Sequence, residues 1–229
     1  MRIGGLQKVS LLDFPGNIAA TVFLSGCNMR CPFCHNAPLV LPERQTDPEI
    51  PEQELMDFLQ SRKGKLDGVC ITGGEPTLYK DLPDLLRRIK AMGFLLKLDT
   101  NGTNPNMLSE LLQEGLLDYV AMDIKNSPEK YPITCGGDHL EAVKKSAAIL
   151  MDSGVEYEFR TTVVQQLHTP EDLEKIGAWL AGAKRYYIQQ FVDSGNLIGE
   201  GLSAPSLSEL EKLRQAALAY IPNTTLRGI

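Results

Sequence analysis

Three cysteines, Cys27, Cys31 and Cys34, crowd into "CNMRCPFCHN" (27–36), and no fourth cysteine stands beside them. Thiolates are soft ligands, and the spacing Cys-x3-Cys-x2-Cys lets a short loop wrap three of them around one centre. Such a set suits three corners of a cubane iron–sulfur cluster and leaves the fourth iron open. The loop alone leaves a second reading standing, a structural zinc site, which four Cys or His ligands normally close. His35, Cys70 and Cys135 are the completing candidates, although His35 directly follows Cys34 and reaches the same metal poorly. Of five cysteines three are clustered, which speaks for metal in a reducing compartment rather than for a disulfide framework. Cys70, among apolar neighbours in "DGVCITGG", reads as a core residue, and Cys135 in the loop "YPITCGG" has no evident role. His139 and His168 read as ordinary surface or helix-start residues, since neither has a second motif beside it.

Further polar motifs are "TGGEP" (72–76), "DTNG" (99–102) and "DIK" (123–125). Each ends an apolar, β-branched stretch, and these stretches alternate with amphipathic ones along most of the chain, the pattern of βα units around a parallel sheet. Strands are expected over 18–25, 68–73, 94–100, 119–125, 155–163 and 185–192. Helices are expected over 51–63, 82–92, 105–115, 138–153, 170–181 and 206–220, several with Pro near the start and Gly near the end. Six units fit an α/β fold of the open, partial (β/α)6 barrel type better than the eight-unit closed form, which takes about 250 residues; a doubly wound sheet is the other arrangement. Both gather ligands at the C-terminal strand ends, where the cysteine loop (25–36) and the three motifs fall.

The 229 residues suit a single domain over 1–229, with a C-terminal helix and tail from about 205. A composition of 43% hydrophobic and 23% charged residues is that of a soluble globular protein. The net charge of -6 disfavours a phosphate-tracking surface, so nucleic acid is not expected as a partner. No apolar run is long enough to span a membrane and the N-terminus does not read as a secretory leader, so no membrane partner is expected and the cytoplasm is the expected compartment.

The cysteine loop with Phe33, followed by Gly73, Gly74, Glu75 and Pro76, resembles the radical S-adenosylmethionine (SAM) superfamily. Within it, "SLLDFPG" (10–16), "CHN" (34–36), "DTNG" and "DIK" resemble the activating enzymes of glycyl-radical proteins, and most of all the activators of anaerobic ribonucleoside-triphosphate reductase. The resemblance covers about residues 8–195. It implies a 4Fe-4S cluster on Cys27, Cys31 and Cys34 whose open iron is chelated by the methionine end of S-adenosylmethionine. Reductive cleavage of that cofactor would yield a 5′-deoxyadenosyl radical that takes hydrogen from a glycine of a partner protein. A flavodoxin or ferredoxin-type protein would supply the electron.

The same resemblance places Phe33 and His35 along the adenine, and Gly73 and Gly74 where backbone meets the methionine end, with Glu75 and Pro76 shaping that loop. It places Asp99, Thr100, Asn101, Asp123 and Lys125 around methionine and ribose, in some relatives with a monovalent cation. Two buried carboxylates need such a cation or a basic partner, for which Lys125 and Arg160 are available. Arg160 is also suited to the cofactor carboxylate, and Gln190 lies near a position where some relatives carry a cofactor-contacting His. Residues 37–50 hold no cysteine, which disfavours the activators that carry extra clusters there. The competing readings are a radical SAM enzyme acting on a small molecule or peptide, and a non-enzymatic iron–sulfur or zinc module.

Overall fold

The computed structural model describes residues 1–44 and 48–229. Among them eight strands form one sheet in sequential order: β1 (Ile3–Ser10), β2 (Ala19–Leu24), β3 (Gly68–Gly73), β4 (Leu95–Thr100), β5 (Tyr119–Asp123), β6 (Glu156–Val163), β7 (Tyr186–Gln190) and β8 (Thr224–Arg227). β1 pairs antiparallel with β2, and every later pair is parallel. The helices are α1 (Ala37–Val40), α2 (Glu52–Arg62), α3 (Leu82–Ala91), α4 (Pro105–Gln113), α5 (Tyr131–Cys135), α6 (Leu140–Asp152), α7 (Pro170–Trp179) and α8 (Leu207–Leu218).

The six units expected from the sequence are β2 through β7 with the helices that follow them, and the barrel is open, with β1 and β8 added at its two edges. Several helix starts have local causes. Thr169 and Ser206 each form reciprocal capping boxes, with Asp172 and Glu209 respectively, and Asn104 caps α4 ahead of Pro105.

The two faces of the sheet differ in chemistry. Val22, Leu24, Val69, Ile71, Leu96, Leu98, Val120, Met122 and Phe159 are buried in the large apolar cluster that also holds the helix residues Leu55, Leu85, Leu108, Val143 and Leu173. On the opposite face the register aligns Thr21, Cys70, Lys97 and Tyr119 in one layer, then Asp99, Ala121 and Glu158, then Asp123, Arg160 and Tyr187. Because side chains alternate with period two, the strands that look almost uniformly apolar still carry a charged inner stripe.

Candidate active site

The cysteine loop leaves β2 and is tied to its neighbours by backbone. Gly26 N–H donates to Leu39 O at 2.6 Å, Glu75 N–H donates to Gly26 O at 2.8 Å and Gly74 N–H donates to Leu24 O at 2.8 Å. The glycine pair is required here. A Cβ on Gly74 would overlap Gly26 O, and one on Gly73, whose φ is +124°, would overlap the Leu24 backbone. Asn36 of "CHN" donates from Nδ2 to Gly73 O at 3.3 Å, which joins the end of the cysteine loop to "TGGEP".

These segments enclose a cavity of about 290 Å³ at the C-terminal strand ends, lined by Cys27, Cys31, Phe33, Cys34, His35, Gly73, Gly74, Asp99, Thr100, Asn101, Asp123, Lys125 and Arg160. Of the residues singled out from sequence, Glu75, Pro76 and Gln190 stand apart from this wall. Gln190 is corrected by one position. Its neighbour Gln189 faces the cavity, while the Gln190 amide donates to Pro205 O at 3.1 Å on the other face. A one-residue shift along a strand reverses the face. Asn36 of "CHN" and Thr72 of "TGGEP" also line the cavity, as do Met29, Val40 and Thr162, which were not anticipated.

Glu75 is fully buried and acts through its neighbours. Its carboxylate accepts from Thr77 N–H (3.0 Å), the Thr77 hydroxyl (2.5 Å), the Thr100 hydroxyl (2.8 Å) and Asn101 N–H (2.6 Å). One acceptor-only group thus ties "GGEP" to "DTNG". Burial pushes its pKa above the ordinary carboxylate value, and the four donors pull in the opposite direction. Three of these donors meet Oε1 and one, Asn101 N–H, meets Oε2, so Glu75→Gln would turn an NH2 toward at least one donor, and we expect it to cost about 2–3 kcal/mol. Thermal unfolding should then come roughly 5–10 °C earlier; an unchanged midpoint would contradict this role.

The inner stripe forms a chain of alternating charge. Lys97, 2% exposed, pairs with Asp99. Arg160 donates from Nη1 to Asp99 at 3.2 Å and from Nε to Asp123 at 2.8 Å, and Lys125 Nζ lies 3.1 Å from Asp123. The carboxylates that called for a counter-charge therefore have three basic partners, of which Lys97 was missed. Arg160 spends its Nε hydrogen and one Nη1 hydrogen on the two aspartates, which leaves Nη2 and the second Nη1 hydrogen for a ligand. Burial opposes ionisation of both aspartates. The Arg160 guanidinium outweighs it, with Lys97 at Asp99 and Lys125 at Asp123, and holds both below the usual range. Lys97 is raised in turn, as Asp99 overcomes burial.

The pH dependence follows from those directions. Depressed carboxylates stabilise the fold above their unfolded pKa, about 3.9, and lose that contribution as pH falls through the folded values. The raised Lys97 contributes fully below its unfolded pKa, about 10.4, and loses its contribution as pH rises through the folded value. The unfolding midpoint of the metal-free protein should therefore fall steeply only below about pH 4 at the acid end, and Asp123→Asn should make that fall shallower. An acid limb of equal slope in the variant would contradict it.

The three thiols on the cavity wall are donors of the soft kind that an iron–sulfur cluster takes. Burial pushes Cys27 up to about 11 and raises Cys34, so both hold protons that a metal must displace. Met29 N–H donates to Cys27 Sγ at 3.4 Å, and Asn101 Nδ2 lies 3.7 Å from the same sulfur and donates to Asn28 Oδ1 at 3.1 Å. The neighbouring Cys135 thiol lowers the Cys31 pKa to about 7 against burial. Phe33 is buried edge-on to His168 with ring centres 6.2 Å apart, and exposed His35 stands 5.7 Å from the Phe191 ring. Of the two readings for His168, surface or helix start, the second holds, since it directly precedes the Thr169 cap of α7. Nearly buried, it accepts from Val164 N–H at Nδ1 (3.0 Å) and donates from Nε2 to Lys125 O (2.9 Å), bracing the "DIK" loop. Cys70 is buried on the inner stripe and Cys135 ends α5.

The pattern of the Radical SAM superfamily matches residues 21–180. The chain belongs to this superfamily. A protein of Methanocaldococcus jannaschii provisionally described as a glycyl-radical enzyme activating enzyme is 37% identical, with 99% of this chain and 96% of that protein covered. The pyruvate formate-lyase-activating enzyme of Clostridium pasteurianum is 33% identical over 55% of this chain and 52% of its own length. The chain is thus a radical SAM enzyme of the glycyl-radical activating class, whose cofactors are a 4Fe-4S cluster and S-adenosylmethionine. Among solved structures, Streptococcus suis SuiB bound to S-adenosylmethionine superposes with a TM-score of 0.69 at 16% identity, over 91% of this chain and 52% of SuiB. The chain spans about half the length of SuiB, and the likeness is one of fold. Among the described residues no helix is long and apolar enough to cross a membrane.

Proposed function

We propose that this radical SAM enzyme installs a glycyl radical on an anaerobic ribonucleoside-triphosphate reductase, in the cytoplasm and with a flavodoxin or ferredoxin-type electron donor. The observation that carries the reading is the convergence of the three cysteines, "GGEP", "DTNG" and "DIK" on one cavity. The 37–50 stretch that follows the cysteine loop contains no cysteine, so no additional cluster is ligated from it; residues 45–47 of it lie outside the described residues.

In this reading Cys27, Cys31 and Cys34 hold the cluster and leave one iron for the cofactor. When bound, cluster and cofactor supply the reducing electron and the radical that abstracts hydrogen. The protein's part is placement. Gly73 and Gly74 let backbone approach the methionine end, while Asn36 and Glu75 fix that backbone from either side. Nη2 of Arg160 and the Lys125 ammonium are the cations on the wall available to the cofactor carboxylate. Buried Phe33 keeps water from the cysteine loop, and His35 at the rim is the ring available to adenine. Pro76 starts the short 3-10 turn that Glu75 caps. Asp99, Thr100, Asn101 and Asp123 present polar groups toward the ribose side, and the two aspartates are where a monovalent cation would compete with Arg160.

The test is anaerobic incubation of cluster-loaded protein, reductant and S-adenosylmethionine with purified reductase. A glycyl-radical doublet in the electron paramagnetic resonance spectrum that requires both proteins is expected. A doublet on pyruvate formate-lyase and none on the reductase would overturn the choice of partner.

A further inference from the structure

Two cavities of the barrel share a wall. Asp99, Arg160 and Gln189 line the candidate active site and also line a second chamber of about 200 Å³ beneath it. Leu12, 91% exposed in the loop between β1 and β2, stands on the wall of that lower chamber, which therefore reaches the surface at the N-terminal ends of the strands. Lys97 lines the lower chamber and does not line the upper one. Its ammonium is buried, pairs with Asp99 and lies 3.7 Å from Cys70 Sγ. Lys97 thus reaches the site from underneath, through Asp99.

The pairing divides each carboxylate between two cations. Asp99 gives Oδ1 to Lys97 and Oδ2 to Arg160 Nη1, the latter at 3.2 Å. Asp123 gives Oδ1 to Arg160 Nε at 2.8 Å and Oδ2 to Lys125 Nζ at 3.1 Å. Neither aspartate meets the guanidinium in the two-point fork that arginine and carboxylate otherwise favour. Without Lys97, Oδ1 of Asp99 would be a buried acceptor stripped of its donor, an expensive state. The relief at hand is Arg160, whose fork can close on both oxygens of Asp99 through Nη1 and Nη2. That closure would withdraw Nη2 from the upper cavity and loosen Nε from Asp123.

We infer that Lys97 is a positioning residue for the cofactor: by occupying one oxygen of Asp99 from beneath, it keeps Arg160 from closing a fork on that carboxylate and leaves Nη2 for the carboxylate of S-adenosylmethionine. The inference rests on the reading of Arg160 as a partner of that carboxylate and is independent of which protein receives the radical.

The test compares cluster-loaded wild type, Lys97→Met and Lys97→Ala. Binding of S-adenosylmethionine is measured by anaerobic calorimetry, and KM and kcat from 5′-deoxyadenosine formed with a chemical reductant. In both variants the affinity should fall and KM rise about tenfold, the weight of one hydrogen bond to a charged group, while kcat at saturating cofactor stays within about twofold. Lys97→Ala leaves a gap beside the lower chamber, so added ethylammonium should return most of the lost affinity, whereas tetramethylammonium, which has no N–H to donate, should not. Equal affinity in wild type and Lys97→Met would overturn the inference, as would a fall in kcat with KM unchanged. A loss that ethylammonium does not reverse, or that both cations reverse alike, would overturn it too, because a packing defect does not ask for an N–H donor. Should neither neutral variant fold, Lys97→Arg decides: it keeps the charge on Asp99 and should bind within about threefold of wild type, and a tenfold loss there would overturn the inference. Wild-type affinity in Arg160→Lys would overturn the reading of Arg160 and this inference together.

Discussion

Replacing any one of Cys27, Cys31 or Cys34 with serine should abolish S-adenosylmethionine cleavage and sharply lower bound iron, while Cys70→Ala keeps both. The contrast follows from position. The first three thiols line the same cavity at the strand ends, whereas Cys70 is buried on the inner stripe one layer below Asp99, with Lys97 Nζ at 3.7 Å. Two thiolates on a loop this short hold a cubane by half of its irons, and the hard serine oxygen is a poor substitute for the third. The measurement is iron per chain and 5′-deoxyadenosine formed per chain, each relative to wild type. Cys70→Ala should cost only stability, about 1–2 kcal/mol for a small buried side chain. Full iron and activity in a serine variant of the trio would remove that residue from the ligand set.

Arg160→Met should be the most destabilising single change on the inner stripe. It removes the one group that bridges Asp99 and Asp123, and leaves two carboxylates of low exposure with one lysine each. Breaking a buried charge pair from one side costs about 3–5 kcal/mol, which corresponds to an unfolding midpoint lowered by roughly 6–20 °C in a chain of this size. Arg160→Lys keeps the charge but cannot reach both carboxylates with a planar fork, so it should fall between the two. Binding of S-adenosylmethionine should weaken in both variants. A stable Arg160→Met protein would mean that Lys97 and Lys125 balance the aspartates unaided.

Much of this architecture was legible in the sequence because its strands are buried on both faces and its helices carry clear start signals. The strand over 68–73 has the expected limits, and the other five of the central set differ by two residues or fewer at either end. The misses have physical causes. β1, "IGGLQKVS", carries two glycines and three exposed residues, so it lacks the apolar density of the central strands, and pairing with β2 holds it in place. β8 is only four residues long and gains its strand character from β7.

At the site, the motifs named the loops but not the layer beneath them. Lys97 lies inside the strand "FLLKLDT" and belongs to no motif, yet its period-two relation to Asp99 puts both on the inner stripe. The same alternation distinguishes Gln189 from Gln190 once the register with Thr162 and Val163 is known. His168 and Cys135 depend on contacts between segments far apart in the chain, which no local pattern reports.

The central claim is that three protein thiols hold a cluster with one iron free for the cofactor. Its most direct measurement is the electron paramagnetic resonance spectrum of the reduced, reconstituted protein with and without S-adenosylmethionine, taken without any partner protein. A spectrum that changes in position and shape when the cofactor is added is the predicted result. A spectrum identical under both conditions, in protein with a full complement of iron, would mean that a fourth residue of the chain already closes the site, and would contradict the account.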